Sequence, residues 1–344
     1  PEAWGINFVS KHHYANYLAK NNTVYFLNPP NGFVKKPWDG INYQQNSTHN
    51  GIHVIDYKNL SPLLNNLPLR LQKIIYKKQA AYIQKKTGIK TFDIVWSFDP
   101  NRFFEQKVWK ATKRIYHTVD VHSAKSRENM LAKSSDIVIC VSSFLINNFH
   151  ENINAKLIIH GTDTSHKNNE PFELPGVNKF KIGLTGNFLS ANINFEMLYK
   201  IASENSNLNQ KNDLKNKFAD ELFNLTNVYF LGPIEARKLY SINTQMDINL
   251  ILYKDFKKNI FPHKLMQYLY AGNMILTSKI HDIREIPEGL VEEISEENYI
   301  DQISNALNKI EVYNSPSQVN KRKNFAKANS YPSKINEIES LLYK

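Results

Sequence analysis

Phe261-Pro262-His263-Lys264-Leu265-Met266-Gln267-Tyr268-Leu269-Tyr270-Ala271-Gly272-Asn273-Met274-Ile275-Leu276-Thr277-Ser278 reads as one helix that turns directly into one buried strand. Pro262 suits a first helical turn, where the N–H it lacks would have no intrahelical acceptor. Gly272 supplies the stop. Leu265, Leu269 and Met266 make the core-facing stripe, and Met274–Ser278 is an apolar strand. The helix start presents unbonded N–H groups and the positive end of the helix dipole, with Lys264 beside them, so it suits an anion such as diphosphate. On the residues alone, a structural helix-to-strand unit explains the stretch as well.

Outward from this unit, the chain alternates short β-branched runs with longer helical stretches, the pattern of α/β layers built on parallel sheets. Expected strands are Thr23–Leu27, Ile52–Asp56, Asp93–Ser97, Arg114–Thr118, Asp136–Val141 and Lys156–His160, then Phe180–Thr185, Val228–Leu231, Ile248–Tyr253 and Met274–Ser278. Between the two series, Gly161–Gly176 is polar and punctuated by glycine and proline, and reads as a linker. The expected division is an N-terminal unit over 1–168, a second over 169–326, and a terminal helix over 327–344. A Rossmann-like unit opens on a strand, and none precedes the helix expected at Val9–Lys20. The helix at Phe195–Ser206 likewise runs through Asn207–Asp213 into further helical sequence, where a strand is due.

A length of 344 residues suits two domains, and 42% hydrophobic with 12% aromatic content excludes a disordered chain. The single cysteine, Cys140, excludes an internal disulfide and lies in an apolar run, which fits a reducing, cytoplasmic setting. No apolar run reaches the roughly 20 residues that span a bilayer. The net charge of +11, from 43 basic against 32 acidic residues, suits phosphorylated substrates, anionic lipid or nucleic acid, or simply a solvated basic surface. No nucleic-acid-recognition motif accompanies it, so no nucleic-acid partner is expected. The segment Leu69–Lys86 is a basic helix with Leu71, Ile74, Ile75 and Tyr82 on one side. Arg70, Lys73, Lys77, Lys78, Lys85 and Lys86 decorate the rest, and Gly88 caps it. Such a helix can lie on an anionic membrane surface, placing the protein peripherally at the inner face, or serve as a solvated outer helix.

The opening stretch resembles the donor-binding helix of GT-B glycosyltransferases, particularly the family 4 group and its bacterial polysaccharide relatives, with Pro262, Lys264, Leu265, Tyr268 and Gly272 in register. Gln267 stands where the usual pattern has glutamate, and Ile260 stands where the paired-acid version has its first acid. The resemblance continues in Phe92-Asp93-Ile94-Val95-Trp96-Ser97, in Arg114–Asp120, in Glu128–Ser143, in His160-Gly161-Thr162-Asp163 and in Ala328–Leu342, the last being similar to the terminal helix that crosses back onto the first domain. It implies two Rossmann-like domains facing across a cleft, the first taking the acceptor and the second the nucleotide sugar.

In open α/β sheets ligands bind beyond the carboxyl ends of strands, where Asp99, His117, Asp120 and His122 stand. Asp120 is the expected base for an acceptor hydroxyl, or a partner for a developing oxocarbenium ion, with His117 and His122 as rivals. The resemblance places Trp4 and Asn7 in the first loop on the acceptor side, with Asp99. On the donor side it places Gly186 and Asn187 in the turn Gly183–Phe188, Tyr253 and Lys254 after a strand, and Pro262, His263, Lys264 and Gln267 on the helix. Glycine there lets a backbone approach phosphate. His12 and His13, adjacent on a helix, diverge and do not form a shared metal site. With no D-x-D pair and no Cys/His cluster, no metal is expected, and no cofactor beyond the nucleoside-diphosphate sugar that serves as donor substrate. The expected activity is hexosyl transfer from a nucleotide sugar to a glycan or lipid-linked acceptor in surface polysaccharide synthesis. A sugar-nucleotide epimerase of the same fold and a catalytically silent nucleotide-sugar-binding protein are the alternatives.

Overall fold

A computed structural model describes residues 2–5, 8–34, 44–49, 51–151, 153–165, 171–176, 179–186, 188, 192–204, 217–254 and 260–343. Backbone contacts divide the chain into two units, Pro1–Ile159 with Tyr331–Lys344, and His160–Ser330. The first division falls at Ile159 because Thr162 already belongs to the second unit, its N–H donating to Asn329 O at 3.0 Å. The second falls at Ser330 because Tyr331 packs into the first unit, 4.9 Å from His13 and 5.0 Å from Tyr14 between ring centroids.

The first unit contains strands β1 (Val24–Leu27), β2 (Gln44–His49), β3 (Ile52–Asp56), β4 (Phe92–Ser97), β5 (Ala111–Thr118), β6 (Ile137–Cys140) and β7 (Ala155–Leu157). Strands β4-β5-β6-β7 form a parallel sheet in sequence order, while β1-β3-β2 form a second sheet in which β2 runs antiparallel to β3. Its helices are α1 (Ser10–Leu18), α2 (Leu69–Thr87), α3 (Lys125–Lys133), the short α4 (Ser143–Ile146) and the closing helix Tyr331–Leu342. Tyr14 of α1, Ile115, Ile137 and Ile139 of the sheet, and Tyr331, Ile335, Ile338 and Leu342 of the closing helix share one core. Cys140 is fully buried in β6, and burial pushes its thiol pKa up, so it serves as packing.

The second unit has β8 (Ile182–Gly183), β9 (Ile248–Ile251), β10 (Met274–Thr277) and β11 (Glu292–Glu293), all parallel in the order β11-β10-β9-β8. Every residue of β9 and β10 is buried, as expected of parallel strands covered on both faces, and the one amide among them, Asn249, donates to Asn243 O at 3.2 Å. Helices α5 (Phe195–Glu204), α6 (Lys217–Phe223), α7 (Ala236–Thr244), α8 (His263–Ala271), α9 (Tyr299–Asn308), α10 (Ile310–Tyr313) and α11 (Pro316–Ala328) complete it.

One expectation is overturned. Val228–Leu231 joins no ladder among the described residues. Tyr229 and Phe230 are exposed there, and the Phe230 ring is held instead by Phe188 at 5.5 Å and Phe223 at 5.1 Å. In helix α2, Leu71 and Ile74 point to solvent, whereas Gln72, Tyr76, Gln79, Ala80, Ile83 and Gln84 are buried. The glutamines go inward because their amides satisfy loop backbone. Gln72 donates to Leu67 O at 2.6 Å, and Gln84 both donates to Lys110 O and accepts from Lys110 N–H. Gly88 ends α2 in the left-handed conformation, as its position suggests. Strand β2 and the two-residue β11 have no counterpart in the expected set, and the stretch 207–213 lies outside the described residues.

Candidate functional site

Helix α8 organises the second unit's strongest constellation. Pro262, buried and extended, is its N-cap, and Gly272 terminates it at a φ of 96°. The first turn contains no acid, so within α8 no carboxylate offsets the positive end of its dipole. Tyr268, fully buried on the inner face, receives the Thr185 N–H at 2.8 Å and lies 2.9 Å from Thr185 Oγ1. That pair fastens the turn after β8 to α8. The next residue, Gly186, approaches so closely that a Cβ there would meet Lys264 Nζ at 2.8 Å. Only glycine leaves the ammonium its place.

Lys264 Nζ also lies 5.1 Å from the centre of the Tyr253 ring, within cation–π range. Tyr253 itself is pinned, its N–H donating to Ser278 Oγ at 2.8 Å, and Lys254 N–H donates to Asn192 O at 2.9 Å. No carboxylate pairs with Lys264 among the described residues. Burial holds its ammonium down to about 8, from the 10.5 of a free lysine. A cation with no counter-ion among the described residues, beside a helix start and a glycine turn, can receive an anion. His263 packs edge-on against His160 at 5.4 Å, and Gln267 is half-buried with no hydrogen bond among the described residues. The far end of α8 is closed by Arg322, whose buried guanidinium donates to Gly272 O, Tyr313 O and Leu290 O at 3.1, 2.8 and 2.8 Å. Of the donor-side residues, Gly186 and Tyr253 meet Lys264 at the start of α8, where Pro262 and His263 also stand; Lys254 follows Tyr253, Gln267 lies a turn further along the helix, and Asn187 lies outside the described residues.

In the first unit the expected groups separate. Asp120 and His122 share the loop after β5. Asp120 is exposed, yet neighbouring atoms still raise its carboxyl pKa, chiefly by desolvation, with the charge of His122 working against it. His122 Nε2 is buried without a hydrogen-bond partner. His117, by contrast, is in the core. It is 1% exposed, both ring nitrogens lack partners, and desolvation lowers its pKa to about 3, so the ring is neutral. Phe98 and Trp96 stack on it at 5.0 and 6.0 Å, and Tyr14 meets it edge-on at 5.3 Å. The Tyr14 hydroxyl and the Trp96 indole N–H are buried and unpartnered as well. Four polar atoms thus share an aromatic enclosure at the carboxyl ends of β4 and β5.

Asp99 has a local role. Oδ1 accepts the Asn101 N–H at 2.8 Å, and the side chain pairs with Arg102 at 3.4 Å. Arg102 in turn donates to the carbonyls of Asn28 and Leu27 at the end of β1. Trp4 packs against Phe8, His12 and Phe26, and its N–H donates to Asn28 Oδ1. Asn7 lies outside the described residues. His12 is a structural cap: Nδ1 accepts the Val9 N–H at the start of α1, and Nε2 lies 3.0 Å from Ala3 O. Its neighbour His13 turns away to stack on Tyr331. Among the described residues no three His, Cys, Asp or Glu side chains converge as a metal site, and no helix is long and apolar enough to cross a membrane. The orphaned enclosure around His117 and the grip of Arg322 on α8 were not anticipated. No motif announces either, because both arise from groups distant in sequence.

No protein-family model matches this chain, and no curated protein matches it in sequence. Solved structures do match. The sucrose-phosphate synthase of Thermosynechococcus elongatus superposes with a TM-score of 0.64 at 12% identity, covering 96% of this chain and 91% of that one. A glycosyltransferase from Rickettsia africae gives 0.63 at 13% identity, covering 97% and 93%. HepE of Anabaena, in complex with UDP-glucose, gives 0.59 at 14%, covering 86% of each chain. These neighbours are GT-B glycosyltransferases, and the chain shares their fold.

Proposed function

We propose that this GT-B-fold chain is a glycosyltransferase that moves a sugar from a nucleoside-diphosphate sugar to a hydroxyl of a glycan or lipid-linked acceptor, in the synthesis of a surface polysaccharide. The observation that carries the proposal is Lys264: a largely buried ammonium without an acidic partner, at an acid-free helix start, against a glycine whose missing side chain makes room for it. Diphosphate fits that chemistry, and the UDP-glucose of the HepE structure makes uridine diphosphate the first nucleotide to try. In the proposed reaction the acceptor oxygen bonds to the anomeric carbon as the bond from that carbon to the phosphate oxygen breaks. The pair of electrons leaves with the nucleoside diphosphate, whose new charge is taken up by Lys264 and the α8 dipole. The acceptor proton passes to a base. Asp120 is the proposed base, since desolvation moves its carboxyl toward the working pH. His122, two residues on, is assigned to its electrostatic setting. No step is assigned to a metal ion.

Gln267 keeps a silent binding protein as the second reading. A neutral amide can accept a hydrogen bond from a sugar hydroxyl but cannot stabilise positive charge as a carboxylate does. A thermal-shift panel of nucleotide sugars tests the binding step, because any ligand that prefers the folded state raises the melting temperature. A rise with one of them, followed by release of the nucleoside diphosphate in the presence of an acceptor extract, supports transfer. A rise without any release favours the silent reading, and no rise with any donor removes the proposal.

A further inference from the structure

Helix α2 carries six basic residues and no acid over Leu69–Thr87. A helix that merely covered a core would turn its large apolar side chains inward. Here the reverse holds on one flank, where Leu71 is 47% and Ile74 52% exposed, and Leu63, just ahead of the helix, is 61% exposed. Lys73 is neutralised by Glu105 at 2.6 Å. Arg70, Lys77, Lys78 and Lys85 make no ion pair among the described residues, and all are exposed. Ile74, Lys78, Ala81 and Lys85 recur at intervals of four, three and four, so they form one outward line, with Leu71 about a turn before Ile74. The apolar side chains sit at the N-terminal end of this line and the unpaired cations continue it.

From this juxtaposition we infer that the outer face of α2 docks on an anionic lipid bilayer surface, with Leu63, Leu71 and Ile74 entering the headgroup boundary and the cations facing acidic headgroups. Apolar side chains set among cations on a surface helix are the pattern of an in-plane membrane contact. Charge selects the occupant. A second copy of the chain seated on the same face would bring two acid-free basic helices together, whereas an acidic surface complements every unpaired group on it. The inference stands apart from the glycosyltransferase proposal: a chain that docks on vesicles but binds no nucleotide sugar would leave it intact.

The test is co-sedimentation of the full chain with phosphatidylcholine vesicles, alone or mixed with phosphatidylglycerol. Binding is expected to the mixed vesicles only and to fall with rising salt. Each basic residue near an anionic surface contributes roughly a factor of five, so Lys77→Gln with Lys78→Gln should cut partitioning about thirty-fold. Leu71→Ser with Ile74→Ser should also weaken it while lowering the melting temperature by only a few degrees, since about half of each side chain is already in water. Equal binding to neutral vesicles, or none to either, overturns the inference. So does a protein dimer or a complex with an acidic protein that depends on Leu71 and Ile74 while vesicles are ignored.

Discussion

Replacing Lys264 by methionine should stabilise the ligand-free protein and abolish its response to nucleotide. The unpaired ammonium is held at about 8, against 10.5 in an exposed lysine. In the folded state the base therefore gives up its proton more readily than in the unfolded chain. The unfolded chain binds more protons between these two values, so stability rises with pH from about 8 to 10.5, and at pH 7 the full cost of the buried charge is present. At about 1.4 kcal/mol for each factor of ten in acidity, that cost is of order 3 kcal/mol, as an upper bound. Methionine matches the lysine stem in length and removes the charge, so the bound corresponds to a rise of roughly 6–12 °C in the melting of a unit of this size. A rise of even a third of that would carry the point. The assay is thermal unfolding at pH 7 with and without uridine diphosphate. The wild type should gain stability on adding nucleotide, and Lys264→Met should start higher and gain nothing. A variant that melts lower than wild type, or that still responds to nucleotide, would refute the assignment of Lys264 as an anion receiver kept at the expense of stability.

Gly186→Ala should weaken nucleoside-diphosphate binding about ten-fold with the fold retained, because a Cβ at 2.8 Å from Nζ displaces the ammonium rather than the backbone; isothermal titration measures it, and unchanged affinity removes the close approach from the site. Asp120→Asn should lower kcat by about a hundred-fold or more while nucleotide affinity stays within about two-fold, and undiminished turnover would exclude Asp120 as the base. His117, with its pKa near 3, should show no imidazole protonation between pH 8 and pH 4 by NMR; a titration close to 6.5 would mean that the ring is open to water and that its rivalry with Asp120 revives.

Where apolar runs are long and local rules agree, the fold is legible in the sequence. Ile52–Asp56 is a strand with those limits, and Pro262–Gly272 followed by Met274–Thr277 is the helix and strand that its pattern predicts. Legibility fails where polar side chains find partners far away. Periodicity in α2 groups Leu71 with Ile74 but does not show that Gln72 and Gln84 go inward, where the Leu67 and Lys110 carbonyls accept their amides. Val228–Leu231 has strand propensity, but propensity does not supply a neighbouring edge, and Phe230 settles among aromatic rings. Within the candidate site, the spacing from Pro262 to Gln267 is local and readable. The meeting of Gly186 and Lys264 is not, because 78 residues (264 minus 186) separate them. Position after a strand likewise groups His117 with Asp120, although His117 lies in the wholly buried end of β5 and Asp120 beyond the strand, in the loop.

The interrupted course of the first unit has a consequence for how the protein is made. Ile115, Ile137 and Ile139 wait for Tyr331, Ile335 and Ile338 to complete their core, and those residues are translated only after all of His160–Ser330. The second unit can finish folding on the ribosome while the first, though begun earlier, still presents an open apolar face. Synthesis and folding therefore run in opposite order, and the nascent first unit is the intermediate that a chaperone has to shield. Shortening the chain within Tyr331–Leu342 should then injure the unit at the other end of the sequence, and leave His160–Ser330 able to fold.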